Sequence, residues 1–390
     1  MNGRIDALQP DAPAVPWARS RLRLGQSNVG AWVCVAFAVV WWQPGISAAS
    51  GVGEAALWAA VVGAYVVLQA PFDVVGGYVL PVRHGRRAPG VAAWLREWSR
   101  GVGAHAGVWL LGGWLSLGVA RAVGLGWAMW VAPVVALGLL AAQRALLGVS
   151  TEVRGGEASA AFDDGVRAVG LEPARVALVD VPADRGFVGG WVGLPGRERL
   201  LLPKLWAEDR GLRPVVLARR AHALRSGARS RGVVAAWLWN TVGWLAVLAL
   251  IPGAGLTSAS GLLLASAGFT IWAFVGLLTL PTLSRRAVID LDQHAAGQLG
   301  VDGVAQAIAR LDRDQEDEQE RPAWQGRIFH PVPTPSARVA ALQGAQPGGA
   351  SLWRVTRTAL FLGWAQGSWL SRAVHCNIGR AGVWVLLPGD

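Results

Sequence analysis

A mainly helical, polytopic membrane protein carrying a small α/β unit is the fold class that this sequence predicts, on three observations. Charged residues are scarce and apolar ones plentiful, at 16% against 53% of 390 residues, with a mean hydropathy of +0.37. A soluble domain carries about 25% charged residues. Six apolar stretches approach the roughly 20 residues that a spanning helix needs. Two polar regions, 149–232 and 282–345, interrupt that pattern, and the first contains strand-like alternation.

The spans come first. Residues 29–42 form the shortest, followed by 55–70, 105–120, 122–142, 233–252 and 261–281. Arg19, Arg21 and Arg23 precede the first, and Arg83, Arg86, Arg87, Arg96 and Arg100 lie between the second and third. Arg144 follows the fourth, Arg229 and Arg231 precede the fifth, and Arg285 and Arg286 follow the sixth. If all six cross, every cluster falls on one side, which the positive-inside rule makes the cytoplasm. The expected location is the cell inner membrane, multi-pass, with both termini and both polar regions cytoplasmic. Membrane lipid is the first expected partner. The first stretch reads as an uncleaved helix, because no A-x-A-like site follows it and five more spans do.

The formal charge of +11 invites a nucleic-acid partner, but none is expected. Lys204 is the only lysine, and the arginines stand beside apolar segments, where topology accounts for them. Cys34 and Cys376 are too few and too far apart for a disulfide framework or a Cys-rich metal site. The 22 tryptophans lie mostly in or next to the spans, where interface anchoring accounts for them.

The remaining organisation follows from local signals. A basic N-terminus (1–28) leads into a four-helix membrane region (29–148). The polar unit 149–232 offers a helix at 158–170, a strand at 175–181 and a hairpin of 186–192 with 199–203 around Leu194-Pro195-Gly196. A helix at 213–225 leads to the transmembrane hairpin 233–281. In 282–345, helices at 284–300 and 304–313 precede a charged run at 314–321, read as a solvated loop or helix end, and a helix from Ser336. The extension 346–390 contains an Arg- and Trp-rich amphipathic stretch, 351–373, expected on the membrane surface or as an ordinary helix packed on the bundle. No P-loop, dinucleotide fingerprint or G-x-S-x-G elbow is present.

Four stretches in order carry a family resemblance: 71–87 (PFDVVGGYVLPVRHGRR), the hairpin 187–203, 284–300 (SRRAVIDLDQHAAGQLG) and 330–342 (HPVPTPSARVAAL). Together, over residues 30 to 342, they resemble the membrane zinc metallopeptidases of the CAAX prenyl protease and HtpX type. The resemblance implies a metallopeptidase-like α/β unit, with a hairpin edge at Phe187, Val188, Gly189, Gly190 and Trp191 that would face substrate. It also implies a helical H-E-x-x-H, in which two histidines bind zinc and the Glu activates water, with a later Glu as third ligand.

This chain departs from that pattern. In the register set by Leu217, Ala218 and Leu224, Arg219 stands for the first histidine, Arg220 for the general-base Glu and Ala223 for the second histidine. Val288, four before Asp292, stands for the third-ligand Glu. A guanidinium has no lone pair to offer a metal. One about 4 Å from Zn²⁺ is repelled by roughly 8 kcal/mol at an effective dielectric near 20. No catalytic residue and no cofactor is therefore expected. His222, Asp290, Asp292, His294, His330 and Arg338 remain as polar residues of the degenerate site, with Arg219 or Arg220 expected to pair with Asp290 or Asp292.

The expected function is that of an inactive homologue, a pseudoprotease that holds a peptide or membrane-protein partner or regulates an active relative. One alternative is an active zinc metalloendopeptidase with a metal site rearranged around His222, His294 and an aspartate. Another is a channel or transporter reusing the chamber, although the spans show little internal charge, with His105 and Arg121 placed near their ends.

Overall fold

The computed structural model describes residues 16–46, 50–86, 90–182, 186–315, 322, 326, 330–344 and 351–388. Arg87 and the charged run from 316 onward lie outside the described residues. Six helices are long and apolar enough to cross a membrane: Trp17–Trp42, Gly51–Arg83, Val91–Ala122, Leu125–Ser150, Ala228–Leu250 and Ala259–Leu299. They make the chain an integral, multi-pass membrane protein with a mainly helical fold.

All six helices run longer than the apolar stretches read from the sequence, and the first and sixth show how. The first begins at Trp17, so Arg19, Arg21 and Arg23 extend its helix instead of preceding it. The sixth joins the stretch 261–281 to the polar helix 284–300 in one helix of 41 residues. Pro281, inside it, lacks the N–H that would bond a preceding carbonyl; tertiary packing on both sides carries the helix through.

Short connections gather at one end of the bundle. Ser260 Oγ donates to the Pro44 carbonyl at 2.7 Å, the Ala259 N–H to Glu54 Oε2 at 2.6 Å and Arg121 Nη2 to the Thr257 carbonyl at 3.1 Å. The α/β unit sits at the opposite end, where Arg100 donates to the Gly148 and Val149 carbonyls.

The α/β unit holds four short strands: β1 (Arg154–Gly156), β2 (Val176–Asp180), β3 (Gly190–Val192) and β4 (Arg199–Pro203). They lie in the order β1-β2-β4-β3, with β2 parallel to β4 and both outer pairs antiparallel. The β3–β4 connection closes with the Arg197 N–H on the Leu194 carbonyl at 3.0 Å. Pro195 fits the second position of that turn, and Gly196, at φ +85°, takes the left-handed third position that a type II turn requires. Phe162, Leu200, Leu202, Trp206, Leu217, Leu291 and Ile308 form the buried layer between this sheet and its helices.

Of the two placements expected for the extension, residues 351–388 take the packed one, with only part of the stretch helical. None of them is exposed. After the helix Val355–Leu362 they run through irregular turns, including Trp369–Arg372 and Ala381–Val383, inside the bundle. Non-helical backbone at membrane depth survives only where protein surrounds it. The spans make room for it with glycine: a side-chain carbon at Gly25, Gly77, Gly101 or Gly232 would come within 3.0 Å of tail atoms. The tail is also tied electrostatically, since Arg372 Nη2 lies 3.1 Å from Asp73 Oδ2 with both side chains fully buried.

Gly77→Ala is accordingly expected to cost about 1–3 kcal/mol through overpacking, because the atom it would strike is the Gly379 backbone carbonyl. Gly103→Ala, with open space around it, serves as the control. Thermal unfolding in detergent, followed by tryptophan fluorescence, separates the two. Equal melting temperatures would contradict the close packing of tail and span.

His105 corrects an expectation. It lies well inside the third span, fully buried, with ring contacts to Trp109 at 4.6 Å and Trp364 of the tail at 4.7 Å.

Candidate functional site

The helix Leu212–Arg225 carries the positions that the metallopeptidase resemblance makes decisive. Its start is held by Asp209, whose Oδ1 accepts from the Gly211 and Leu212 N–H groups at 2.9 and 3.0 Å. From Val215 to Ala221 every residue is buried, because the sheet covers one side of this helix and the sixth span the other. A helix so enclosed turns whatever polar side chains it carries into interior groups.

Arg219 and Arg220 are those groups, at 1% and 0% exposure. Arg219 Nε approaches Asp292 Oδ1 at 2.8 Å. Arg338 meets the same carboxylate with a two-pronged grip, Nε to Oδ2 at 2.7 Å and Nη2 to Oδ1 at 2.8 Å. Two guanidiniums therefore share one buried carboxylate. A paired, hydrogen-bonded arrangement is the form in which buried charge is tolerated.

Arg220 points toward the sheet instead. Its Nη2 donates to the Val188 carbonyl at 2.6 Å and its Nη1 to the Leu201 carbonyl at 3.3 Å, while the guanidinium lies 5.5 Å from the Trp206 ring. Trp191 Nε1 returns a bond to the Arg220 carbonyl at 2.9 Å. Arg220, which the resemblance sets at the place of a general base, is thus a staple between helix and hairpin. Ala223 and Val288 are buried and apolar, at 0% and 1% exposure.

His222, Asp290 and His294 form a separate group on the outer side of the same helix pair. The two imidazoles stack with centroids 3.6 Å apart and planes inclined by 10°, and Asp290 Oδ2 lies 3.7 Å from His222 Nε2. His330 is buried elsewhere, against His375 of the tail at 4.9 Å. The structure brings together Arg219, Asp292 and Arg338 on one side, and His222, Asp290 and His294 on the other.

As arranged, these side chains do not fit a zinc ion. Imidazole binds zinc in the ring plane at about 2.0–2.1 Å. An ion cannot lie in two nearly parallel planes 3.6 Å apart at that distance from both. Both Asp292 oxygens already accept from guanidinium. Among the described residues no group of three or more His, Cys, Asp and Glu side chains converges in a way that could hold a metal.

The histidine stack gives a pH dependence. Burial, with the neighbouring His294 and then Arg225 adding to it and Asp290 opposing, holds the His222 imidazole below its ordinary value. The unfolded chain therefore takes up a proton near pH 6.5, where the folded chain still resists it. The stability this contributes is present above that pH and falls as pH drops toward the lowered folded value. Melting in detergent should fall between pH 7.5 and 5.5, with a shallower fall for His222→Gln. Parallel profiles for the two proteins would refute the assignment.

The hairpin residues Phe187, Val188, Gly189, Gly190 and Trp191 are all buried. The outer edge of β3 is not free for a further strand. Gly189 offers its carbonyl to Arg354 Nη1 at 3.1 Å, and Gly193 its carbonyl to Arg229 Nη2 at 2.6 Å and its N–H to Gln143 Oε1 at 3.4 Å. Sequence reasoning missed Arg354 and Asp73. Asp73 had a signal, a carboxylate between apolar runs; Arg354 had none beyond its place in an arginine-rich tail.

No family model and no curated protein sequence matches this chain. Among solved structures, that of Ste24p from S. mikatae is similar, with a TM-score of 0.61, 10% identity, and coverage of 85% of this chain and 100% of that one. At that identity the likeness establishes the fold: six spans and a small mixed sheet in a Ste24p-like arrangement.

Proposed function

We propose that this Ste24p-like fold serves as a membrane pseudoprotease, a scaffold whose metal-binding positions have become ion pairs and packing. The observation that carries the reading is Asp292 clasped between Arg219 and Arg338. It lies where the resemblance to zinc metallopeptidases puts the metal-binding helices together. The fold likeness to Ste24p and the ordered sequence stretches support the scaffold; Arg219, Arg220, Ala223 and Val288 remove its ligands and base. The role left to such a scaffold is to hold a peptide or membrane-protein partner, or to regulate an active relative, at the cytoplasmic face of the cell inner membrane. The arginine clusters supply that orientation. Strand addition at the hairpin would first require Arg354 and Arg229 to release its edge.

The test is the metal content of detergent-purified protein by elemental mass spectrometry, beside an Arg219→His, Arg220→Glu, Ala223→His, Val288→Glu variant. The expected result is no zinc above background in the native protein and near-stoichiometric zinc in the variant. Stoichiometric zinc in the native protein would overturn the reading and favour a metal site rearranged around His222 and His294.

A further inference from the structure

A small cavity where the tail meets the hairpin and the fifth span is walled by positive charge. Arg229 of the fifth span and Arg354 and Arg357 of the tail all border it, at 4%, 8% and 8% exposure. Arg229 gives Nη2 to the Gly193 carbonyl at 2.6 Å, and Arg354 gives Nη1 to the Gly189 carbonyl at 3.1 Å. Among the described residues no acidic side chain borders the cavity. Glu198 acts on Arg229 from beyond ion-pair distance and is itself paired with Arg175 at 3.0 Å.

The same wall carries surplus donors. Arg229 Nη1, Trp353 Nε1 and Arg357 Nε are buried without a hydrogen-bond partner in the chain. Arg357 is shared with the gap between the first and sixth spans, whereas Arg229 and Trp353 do not border that gap. Acceptors are not in surplus. The Gln143 side chain gives Nε2 to the Val385 carbonyl at 3.0 Å and takes the Gly193 N–H on Oε1 at 3.4 Å. Among the described residues no other buried side-chain acceptor on this wall is left over.

The room inside is about 30 Å³. That exceeds the roughly 10–15 Å³ one water needs and falls far below the size of a site for an organic ligand. Only a water or one small ion fits. A water would satisfy a donor yet leave three buried guanidiniums with no negative charge beside them, a costly arrangement. A small anion accepts from the donors and offsets the charge at once.

We infer that this cavity holds one small monovalent anion of the halide class, bound by Arg229 and Trp353 with Arg354 and Arg357 adding charge. The ion joins three parts of the chain: the fifth span, the tail helix and, through the Gly189 and Gly193 carbonyls, the hairpin edge. It is independent of the zinc question, since none of its residues belongs to the Arg219 cluster.

The experiment is equilibrium dialysis of full-length protein in detergent against radiolabelled chloride, with sodium gluconate holding the ionic strength constant. Saturable binding of a single chloride per chain is expected, competed by bromide and not by sulfate. The melting temperature should rise when chloride replaces gluconate, an ion too large for the cavity. Arg229→Gln should weaken binding about tenfold or more. Should that variant not fold, Thr358→Asp sets a carboxylate on the cavity wall and keeps all three arginines. It should abolish chloride binding and make the melting temperature independent of chloride. No saturable binding by the native protein, or binding unchanged in either variant, would overturn the proposal. Equal competition by sulfate would assign the chloride to surface arginines and overturn it as well.

Discussion

Replacing Asp292 with alanine is expected to cost about 3–5 kcal/mol, the usual penalty for stranding the partners of a buried ion pair. Arg219 and Arg338 would both lose the carboxylate they share at 2.7–2.8 Å, in a setting where all three side chains are at most 2% exposed. Native domains are stable by only about 5–15 kcal/mol, so the expected readout is a collapse in monodisperse yield or a large drop in melting temperature. The informative companion is the triple variant Arg219→Met, Asp292→Leu, Arg338→Met. Replacing a whole buried ionic cluster with apolar side chains of similar volume is often neutral or stabilising. Recovery of stability in the triple variant separates the charge effect from packing. A tolerated Asp292→Ala would show that the cluster does not hold the unit together.

Asp73→Ala is the second large effect. This carboxylate accepts from Gln69 Nε2, the Gly379 N–H and Trp98 Nε1, at 2.9–3.1 Å, and pairs with Arg372. Without it, Arg372 keeps only its positions 4.5 Å from the Trp384 ring and 5.5 Å from the Tyr65 ring, inside the bundle. The expected loss is again about 3–5 kcal/mol, but it falls on the seat of the tail. Cys376 reports it: in a Cys34→Ser background it is the remaining thiol, and it is buried in the native fold. Maleimide labelling of Cys376 should accelerate about a hundredfold or more, the factor that 3 kcal/mol represents. An unchanged rate would mean that packing alone holds the tail.

Much of this architecture was legible in the residues. The six spans and the hairpin around Pro195-Gly196 each have a local physical signature, an apolar run or a turn residue with a required φ, while the register of Arg219 came with the resemblance. The resemblance singles out Asp292 and Arg338 as polar residues of the degenerate site, but their pairing comes only from the structure, because no periodicity links residues 46 apart. The sixth span hid its length because Pro281 ordinarily marks a boundary. The tail was illegible for a deeper reason. An irregular segment has no period, and its burial is decided by glycines on four other helices, Gly25, Gly77, Gly101 and Gly232, none of which announces its partner. Asp73 was the one hint that a polar interior existed, since a carboxylate within a span demands a partner.

The inserted tail also constrains how the protein is made. Residues 351–388 leave the ribosome after all six spans, and their irregular backbone cannot enter lipid on its own. Insertion of the helices must therefore come first and seating of this segment second, as a separate step. Between the two, the nascent bundle presents Asp73 and the glycine-lined faces without the segment that covers them. Membrane quality control would meet the protein in that interval, and a chain halted before residue 351 would remain in it.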